Sequence, residues 1–326
     1  MDAIRVSEYG GPEVLEAVDV PVPDPDPDEV RIDVRAVGVN FADVEKRRGN
    51  YPDGPEPPYR PGLEVAGVVT ESGSDADPAI GDRVAALVSG GGYAETTVAP
   101  TDAVVPVPDA LSFPEAAALP VQYLTAHNAL FGWGGLENCD GEGGESERVL
   151  VTAAAGGVGT AAVQLAARAG VTVVGVASTD EKRALVRELG ADHAVGYDDL
   201  PDAVAERVDG VDLALEGVGG RVFTDVIEVL SPGGRVVTYG MASGRVPTVA
   251  TPRLFFENKS VIGYHLEEAR SRTPERVFSA VPSLLAALEA GDVEIVVDET
   301  IPLADAGLAH DRLEGRESTG KVVLVP

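Results

Sequence analysis

The chain has 326 residues, 44% of them apolar, and 25 Lys and Arg stand against 54 Asp and Glu for a formal charge of −29. That length exceeds what one hydrophobic core usually serves and predicts two domains. The charge excludes nucleic acid and anionic membrane surfaces as partners, because both would be repelled. Only Lys46, Lys182, Lys259 and Lys321 are lysines. Such a surface fits a folded protein adapted to a cytoplasm of molar salt, where the Debye length is about 3 Å and self-repulsion is screened. Cys139 is the single cysteine, so no internal disulfide forms and a reducing, cytoplasmic location is expected. The first 30 residues lack a basic start followed by an apolar core, so no signal peptide is expected.

In chain order, residues 29–38, 64–71, 82–88 and 93–98 read as short strands broken by Gly and Pro, with a turn-rich stretch at 21–28. Ser112-Phe-Pro-Glu115 is a capping box opening an alanine-rich helix, and a second apolar helix follows over 122–131. Residues 132–147, rich in Gly and acids, read as an exposed loop. Strands and helices then alternate: strands at 149–153, 171–176, 193–197, 211–215, 235–239 and 261–264, and helices at 158–169, 181–189 and 221–230. This pattern predicts a doubly wound parallel sheet. The tail gives a helix over 274–290, short strands and a last strand at 321–325, which is expected to rejoin the first domain. Residues 149–167 carry no charge over a length able to span a bilayer. Their three glycines, two threonines and glutamine read instead as strand, turn and buried helix.

That turn carries the strongest local signal. The apolar run from Val149 enters Ala155-Gly156-Gly157-Val158-Gly159 and passes directly into a helix. Glycines let the backbone approach a pyrophosphate, whose charge meets the N–H groups of the helix start. An NAD site normally carries Asp or Glu about 20 residues further on, for the ribose 2′-OH. Here the second strand ends in Ala177-Ser178-Thr179, Lys182 follows one turn later, and Tyr197 ends the third strand. A hydroxyl, a cation and a phenol suit the 2′-phosphate of NADPH. The plainer reading is that Ser178 caps the helix and Lys182 is a solvated charge.

With these residues in place the chain resembles the quinone oxidoreductase (zeta-crystallin-like) branch of the medium-chain dehydrogenase/reductase superfamily. The resemblance runs nearly end to end. It includes Gly10-Gly-Pro-Glu-Val-Leu15, Gly38-Val-Asn-Phe-Ala-Asp43, Pro61-Gly-Leu-Glu-Val-Ala-Gly67, Gly81-Asp-Arg-Val84 and Gly92-Tyr-Ala-Glu95. Further on come Leu124-Thr-Ala126, Ala154-Ala-Gly-Gly-Val-Gly159, Gly233-Gly-Arg-Val236 and Thr319-Gly-Lys321. It implies an α/β protein, a Rossmann dinucleotide-binding domain (123–265) inserted into a GroES-like β-rich catalytic domain (1–122 and 266–326), and a homodimer.

Zinc-containing relatives carry Cys and His where this chain has Asn40 and Leu63, and their cysteine-rich lobe is absent. His127, His193, His265 and His310 are scattered, so no metal site is expected. A quinone or enone needs less Lewis-acid help than an alcohol, because resonance spreads the incoming charge. The resemblance therefore implies NADPH-dependent reduction of quinones or α,β-unsaturated carbonyls. The alternatives are an enoyl or alkenal reductase on the same scaffold, or a non-catalytic NADPH-binding protein.

By the same resemblance Asn40, Tyr51 and Thr125 line the nicotinamide and substrate cleft, with Gln122 beside Thr125. Asn40 has two readings, as a bond to the carboxamide or quinone oxygen and as the N-cap of the next helix. Tyr51 either covers the cofactor or shapes a turn. Gly240, Met241 and Ala242 after the fifth strand, and Tyr264, His265 and Leu266 after the sixth, lie at carboxyl ends where such sheets bind ligands. Lys321 is placed within reach of the cofactor.

Overall fold

A computed structural model describes residues 1–137 and 146–326. Part of the loop expected over 132–147, Cys139 included, lies outside the described residues. The chain forms two compact units, Met1–Val121 with Ile295–Pro326, and Gln122–Glu294.

In the first unit β1 (Asp2–Val6) and β2 (Leu15–Asp19) pair antiparallel. Strand β3 (Glu29–Gly38) alternates half-buried or exposed residues with buried ones before burying its last three, so one face meets the core and its end is enclosed. Helix α1 (Phe41–Arg48) follows at once, opened by Asn40 and closed by Gly49 at φ 75°, the left-handed conformation a helix C-cap favours. Strands β4 (Glu64–Ser72), β5 (Arg83–Leu87), β6 (Thr96–Pro100) and β7 (Val104–Pro106) complete the antiparallel part of the sheet. Strand β6 starts later than the expected residue 93 because Tyr93 and Ala94 are claimed elsewhere. The Tyr93 carbonyl accepts from Ile4 N–H at 2.8 Å, and Ala94 bridges Ala3. The capping box at Ser112 and Glu115 opens α2 (Phe113–Ala116) as expected.

A helical run from Leu119 to Trp133, with α3 (Leu124–His127) at its centre, leads into the second unit. There β8 (Arg148–Val151), α4 (Gly157–Arg168), β9 (Thr172–Val176), α5 (Asp180–Glu188), β10 (His193–Val195), α6 (Leu200–Ala205), β11 (Val211–Glu216), α7 (Gly220–Val229), β12 (Leu230–Thr238), α8 (Pro252–Phe255) and β13 (Ser260–Gly263) alternate. All six strands pair parallel in the order β10-β9-β8-β11-β12-β13. The chain thus winds outward from β8 and restarts on its other side at β11, leaving a switch point between those two strands. Residues 149–167 form strand, turn and most of α4, and among the described residues no helix is long and apolar enough to cross a membrane.

One expectation is corrected. Residues 266–294 belong to the second unit, not to the returning tail, and the single helix expected over 274–290 is replaced by two, α10 (Pro274–Phe278) and α11 (Val281–Ala290), preceded by α9 (Leu266–Arg272). Polar and aromatic ties hold this segment to the run that opens the unit. Asn128 Nδ2 donates to the Val277 carbonyl at 3.1 Å, the Arg276 guanidinium lies 4.0 Å from the Trp133 ring centroid, and Tyr123 donates to the Glu294 carbonyl at 2.6 Å. Only then do β14 (Val297–Pro302), α12 (Ala306–Glu314) and β15 (Lys321–Val325) return to the first unit, β15 pairing with β3 and β14.

Candidate active site

In the second unit the carboxyl end of β8 turns sharply. Ala153 takes a positive φ of 47°, an uncommon conformation for a residue with a side chain, and its N–H donates to Tyr197 Oη at 2.9 Å. Tyr197 therefore braces the turn directly. Gly156 caps α4 in extended geometry, so the amides of Gly157, Val158 and Gly159 form its first turn, where N–H groups have no intrahelical partner. A side chain at Gly159 would run into the Ala153 carbonyl and lie 2.7 Å from Ala154 Cα, so only glycine lets helix and strand approach this closely. A side chain at Gly157 would displace Gln122, whose buried amide lies against the turn. Thr125, three residues further along the same helical run, is buried in α3. Ala155 is buried in the turn itself.

At the tip of β9 the structure separates the two readings of Ser178. The cap of α5 is Thr179, whose Oγ1 accepts from Lys182 N–H at 3.2 Å, while Ser178 is exposed and makes no cap. The helix signal at this point is thus one residue later than the plainer reading held. Lys182 is half-buried in the first turn of α5. The neighbouring Arg183 was missed: its guanidinium donates to the Ala177 carbonyl at 3.1 Å and pairs with Asp180 at 2.5 Å, adding positive charge beside Ser178. A second cation next to Lys182 was the available signal.

Beyond the switch point the loops after β11 and β12 run against each other. Ala242 N–H donates to the Gly217 carbonyl at 3.0 Å, and a side chain at Gly240 would sit 3.0 Å from that same carbonyl. Met241 reaches Gly219. Glu216, wholly buried and also missed, organises this loop: one carboxylate oxygen accepts from Val218 N–H at 2.6 Å and Gly219 N–H at 2.8 Å. Burial pushes its carboxyl upward from the ordinary range, against those two bonds. After β13, Tyr264 is buried with its ring edge-on to Trp133 at 4.8 Å, His265 opens α9, and Leu266 is its first residue.

In the first unit Asn40 stands at the N-cap position of α1 through its backbone, with no side-chain cap bond: its N–H donates to the Asp43 carboxylate at 3.0 Å, and Asp43 N–H donates to its carbonyl at 2.9 Å. Asp43 also accepts from Gly62 N–H at 3.2 Å. Burial pushes its carboxyl up to about 6, opposed by these bonds and by Lys46 and Lys321. The Asn40 side chain looks the other way, into a buried cluster with Glu64 and Lys321. Its Nδ2 donates to Glu64 Oε1 at 2.9 Å and to the Gly38 carbonyl at 3.3 Å, and its Oδ1 accepts from Lys321 Nζ at 2.7 Å. Lys321 is ion-paired with Glu64, and Val121 N–H donates to the other Glu64 oxygen at 2.7 Å. Gly38 is obligatory here, since a Cβ would lie within about 2.6 Å of Glu64, Lys321 and the Ala117 carbonyl. The direct reach of Lys321 toward a cofactor is corrected: it is fully buried, and its ammonium is held by Asn40 and Glu64. Tyr51 sits in a turn, as one reading held, with the Lys46 ammonium 5.0 Å from its ring centroid.

The four histidines occupy unrelated places. His310 bonds Tyr93 at 3.0 Å and burial holds it down at about 3; His127 meets Ser283 at 3.3 Å and burial lowers it to about 4. Among the described residues no group of three or more His, Cys, Asp or Glu is arranged to hold a metal ion.

Comparison with known proteins agrees with this geometry. Residues 26–109 match the alcohol dehydrogenase GroES-like domain family and residues 157–283 the zinc-binding dehydrogenase family. Quinone oxidoreductase of Mus musculus is 38% identical, the match covering 100% of this chain and 98% of its own. Quinone oxidoreductase of Thermus thermophilus, solved alone and with NADPH, is 40% identical at a TM-score of 0.87, and that of Escherichia coli, complexed with NADPH, is 30% identical at 0.89. Each of these two matches covers 100% of both chains. A Rossmann turn of this build and a GroES-like sheet in one chain, matched end to end by such relatives, make it a member of the quinone oxidoreductase branch of the medium-chain dehydrogenase/reductase superfamily.

Proposed function

We propose that the chain reduces quinones or related α,β-unsaturated carbonyls with NADPH and without zinc. The observation that carries the cofactor assignment is the pair of ends at β8 and β9: a glycine cradle that a side chain would fill, and a strand tip without an acid but with Ser178, Lys182 and Arg183. Ala155, Gly156, Gly157, Val158 and Gly159 take the pyrophosphate at the start of α4. Ser178 and Lys182 take the 2′-phosphate, and Tyr197 holds the neighbouring turn after β8 through the Ala153 N–H. Gly240, Met241, Ala242, Tyr264, His265 and Leu266 present the backbone edge for the nicotinamide half.

When bound, the cofactor supplies a hydride to the acceptor. The residues contribute position and charge: the α4 amides fix the phosphates, while Asn40, Tyr51 and Thr125 orient the reacting rings and exclude water. No Ser-His-Asp relay is involved. Zinc independence rests on the donors present. Leu63 has no ligating atom, and the Asn40 amide oxygen, a poor substitute for a thiolate, is already engaged by an ammonium. An alkoxide in this site lacks a Lewis acid, whereas a reduced quinone spreads its own charge. The purified protein is expected to carry no stoichiometric zinc, to oxidise NADPH with simple quinones in strong chelator, and to leave primary alcohols untouched. Elemental analysis with a paired quinone and alcohol assay checks this; one zinc per chain, or chelator-sensitive alcohol turnover, would refute it.

The cytoplasm is the proposed location, on the single cysteine and the acidic surface, and a salt-rich one is the proposed milieu. A homodimer through the edge of the six-stranded sheet is also proposed. Strand β13 is the last of that sheet, Val261 on it is 36% exposed, and Phe255 and Phe256, a few residues earlier in the chain, are 60% and 79% exposed. Light scattering should return twice the 33.7 kDa chain mass; a monomer at all concentrations would remove this assembly.

A further inference from the structure

The Glu64 and Lys321 side chains are both fully buried, and of the three clustered residues only Asn40 keeps any exposure, 8%. Two ions enclosed beside one amide raise the question of what they do for it. Removing a carboxylate and an ammonium from water is costly, and a buried pair is often no more stabilising than apolar residues of the same volume. Stability alone therefore does not account for the pair.

We infer that the Glu64–Lys321 ion pair is a positioning device that locks the Asn40 carboxamide in one of its two flips and makes it a hydrogen-bond acceptor toward the bound cofactor. Asn40 offers two N–H donors and one oxygen with two lone pairs. Both donors are spent, on Glu64 and on the Gly38 carbonyl, and Lys321 takes one lone pair. The reverse flip would set the NH2 group against the ammonium, and the oxygen against the carboxylate and the Gly38 carbonyl, three repulsive contacts in a medium of low dielectric. What remains for a ligand is a single lone pair on Oδ1, polarised by the adjacent positive charge. A quinone carries acceptor oxygens and no donor hydrogen, so Asn40 does not hold the quinone. Its partner is a donor on the nicotinamide nucleoside, either the carboxamide N–H or a ribose hydroxyl. This assignment rests on the proposed placement of Asn40 beside the nicotinamide.

The test is the dissociation constant of NADPH, read by its fluorescence, in Asn40→Ala, in Glu64→Leu/Lys321→Met, and in the triple variant. Removing both ions together avoids stranding one buried charge, which would unfold many proteins. Lys321→Arg, which keeps the cation, is the conservative control. Asn40→Ala should weaken NADPH about three- to tenfold, the worth of one hydrogen bond. The paired variant should lose a similar factor, the triple variant no more than Asn40→Ala alone, and Lys321→Arg should stay within about twofold of the parent. The 3-acetylpyridine analogue of NADPH, which lacks the carboxamide N–H, separates the two donors. A penalty for the analogue that vanishes in Asn40→Ala assigns the carboxamide, and one that persists assigns the ribose hydroxyl. If Asn40→Ala weakens NADPH while the paired variant binds normally, or if their losses multiply in the triple variant, the positioning role is overturned. If Asn40→Ala changes neither NADPH binding nor quinone turnover, the placement of Asn40 beside the nicotinamide fails first.

Discussion

Replacing Lys182 by Ala is expected to raise the Michaelis constant for NADPH about ten- to a hundredfold while leaving that for NADH nearly unchanged. A charge-assisted hydrogen bond to phosphate is worth roughly 1.5–3 kcal/mol, which gives that range. The selectivity follows from where Lys182 stands. Its backbone N–H is committed to the Thr179 cap, which fixes the residue in the first turn of α5 next to the exposed Ser178. That is where the second strand of a doubly wound sheet delivers the adenosine ribose. Arg183 shares the neighbourhood, but two of its nitrogens are tied to Ala177 and Asp180, so it compensates only in part. Initial-rate kinetics with the two cofactors at a fixed quinone concentration decide the matter. Equal changes for NADPH and NADH would show that Lys182 is a surface charge and that the phosphate is bound elsewhere.

Much of the fold was legible because the second unit obeys local rules. Each of its six apolar runs sits between helix signals, and the charge-free stretch at 149–167 contains glycines that only a turn would need. Legibility ended where long-range contacts took over. Residues 266–294 look like any mixed helical tail; their membership follows from Asn128 meeting Val277 and Tyr123 meeting Glu294, pairs separated by more than a hundred positions. Strand β6 was shifted because β1, the first strand of the chain, captures Tyr93 and Ala94. The site divides in the same way. The glycine cradle and the acid-free tip of β9 are contiguous in sequence and could be read directly. Glu64 gives no such warning: it opens an apolar strand, and Lys321 lies 257 positions away. The two expected residues of that cluster, Asn40 and Lys321, were chosen by resemblance, and only the folded sheet, with β15 set beside β3, joins them to the acid.

The second large effect expected is a strong rise in thermal stability with salt. Subtracting 25 cations from 54 acids leaves 29 carboxylates with no cation to meet. Two exposed carboxylates about 10 Å apart repel by about 0.4 kcal/mol in water without screening. At 0.1 M salt the Debye length is about 10 Å and at 1 M about 3 Å, so that repulsion falls to about 0.15 and then about 0.02 kcal/mol. Summed over several neighbours for each excess acid, and discounted for the expanded unfolded chain, the relief amounts to a few kcal/mol. Each kcal/mol moves the melting temperature of a domain of this size by about 2–4 °C, so a rise on the order of 10 °C is expected between 0.1 and 2 M KCl. An opposing contribution exists, because salt also screens the attractive surface pairs such as Arg5–Glu16 and Arg207–Glu206. Exposed pairs are worth at most about 1 kcal/mol each and often nothing. The buried Lys321–Glu64 pair is shielded from ions by its burial and should not respond. Repulsion among the unpaired acids therefore dominates, and quinone turnover should follow the same curve, since both units carry an excess of acids. Calorimetric melts across a KCl series measure the effect; a melting temperature flat from 0.1 to 2 M would mean that the acids are accommodated locally and that the chain is not adapted to salt.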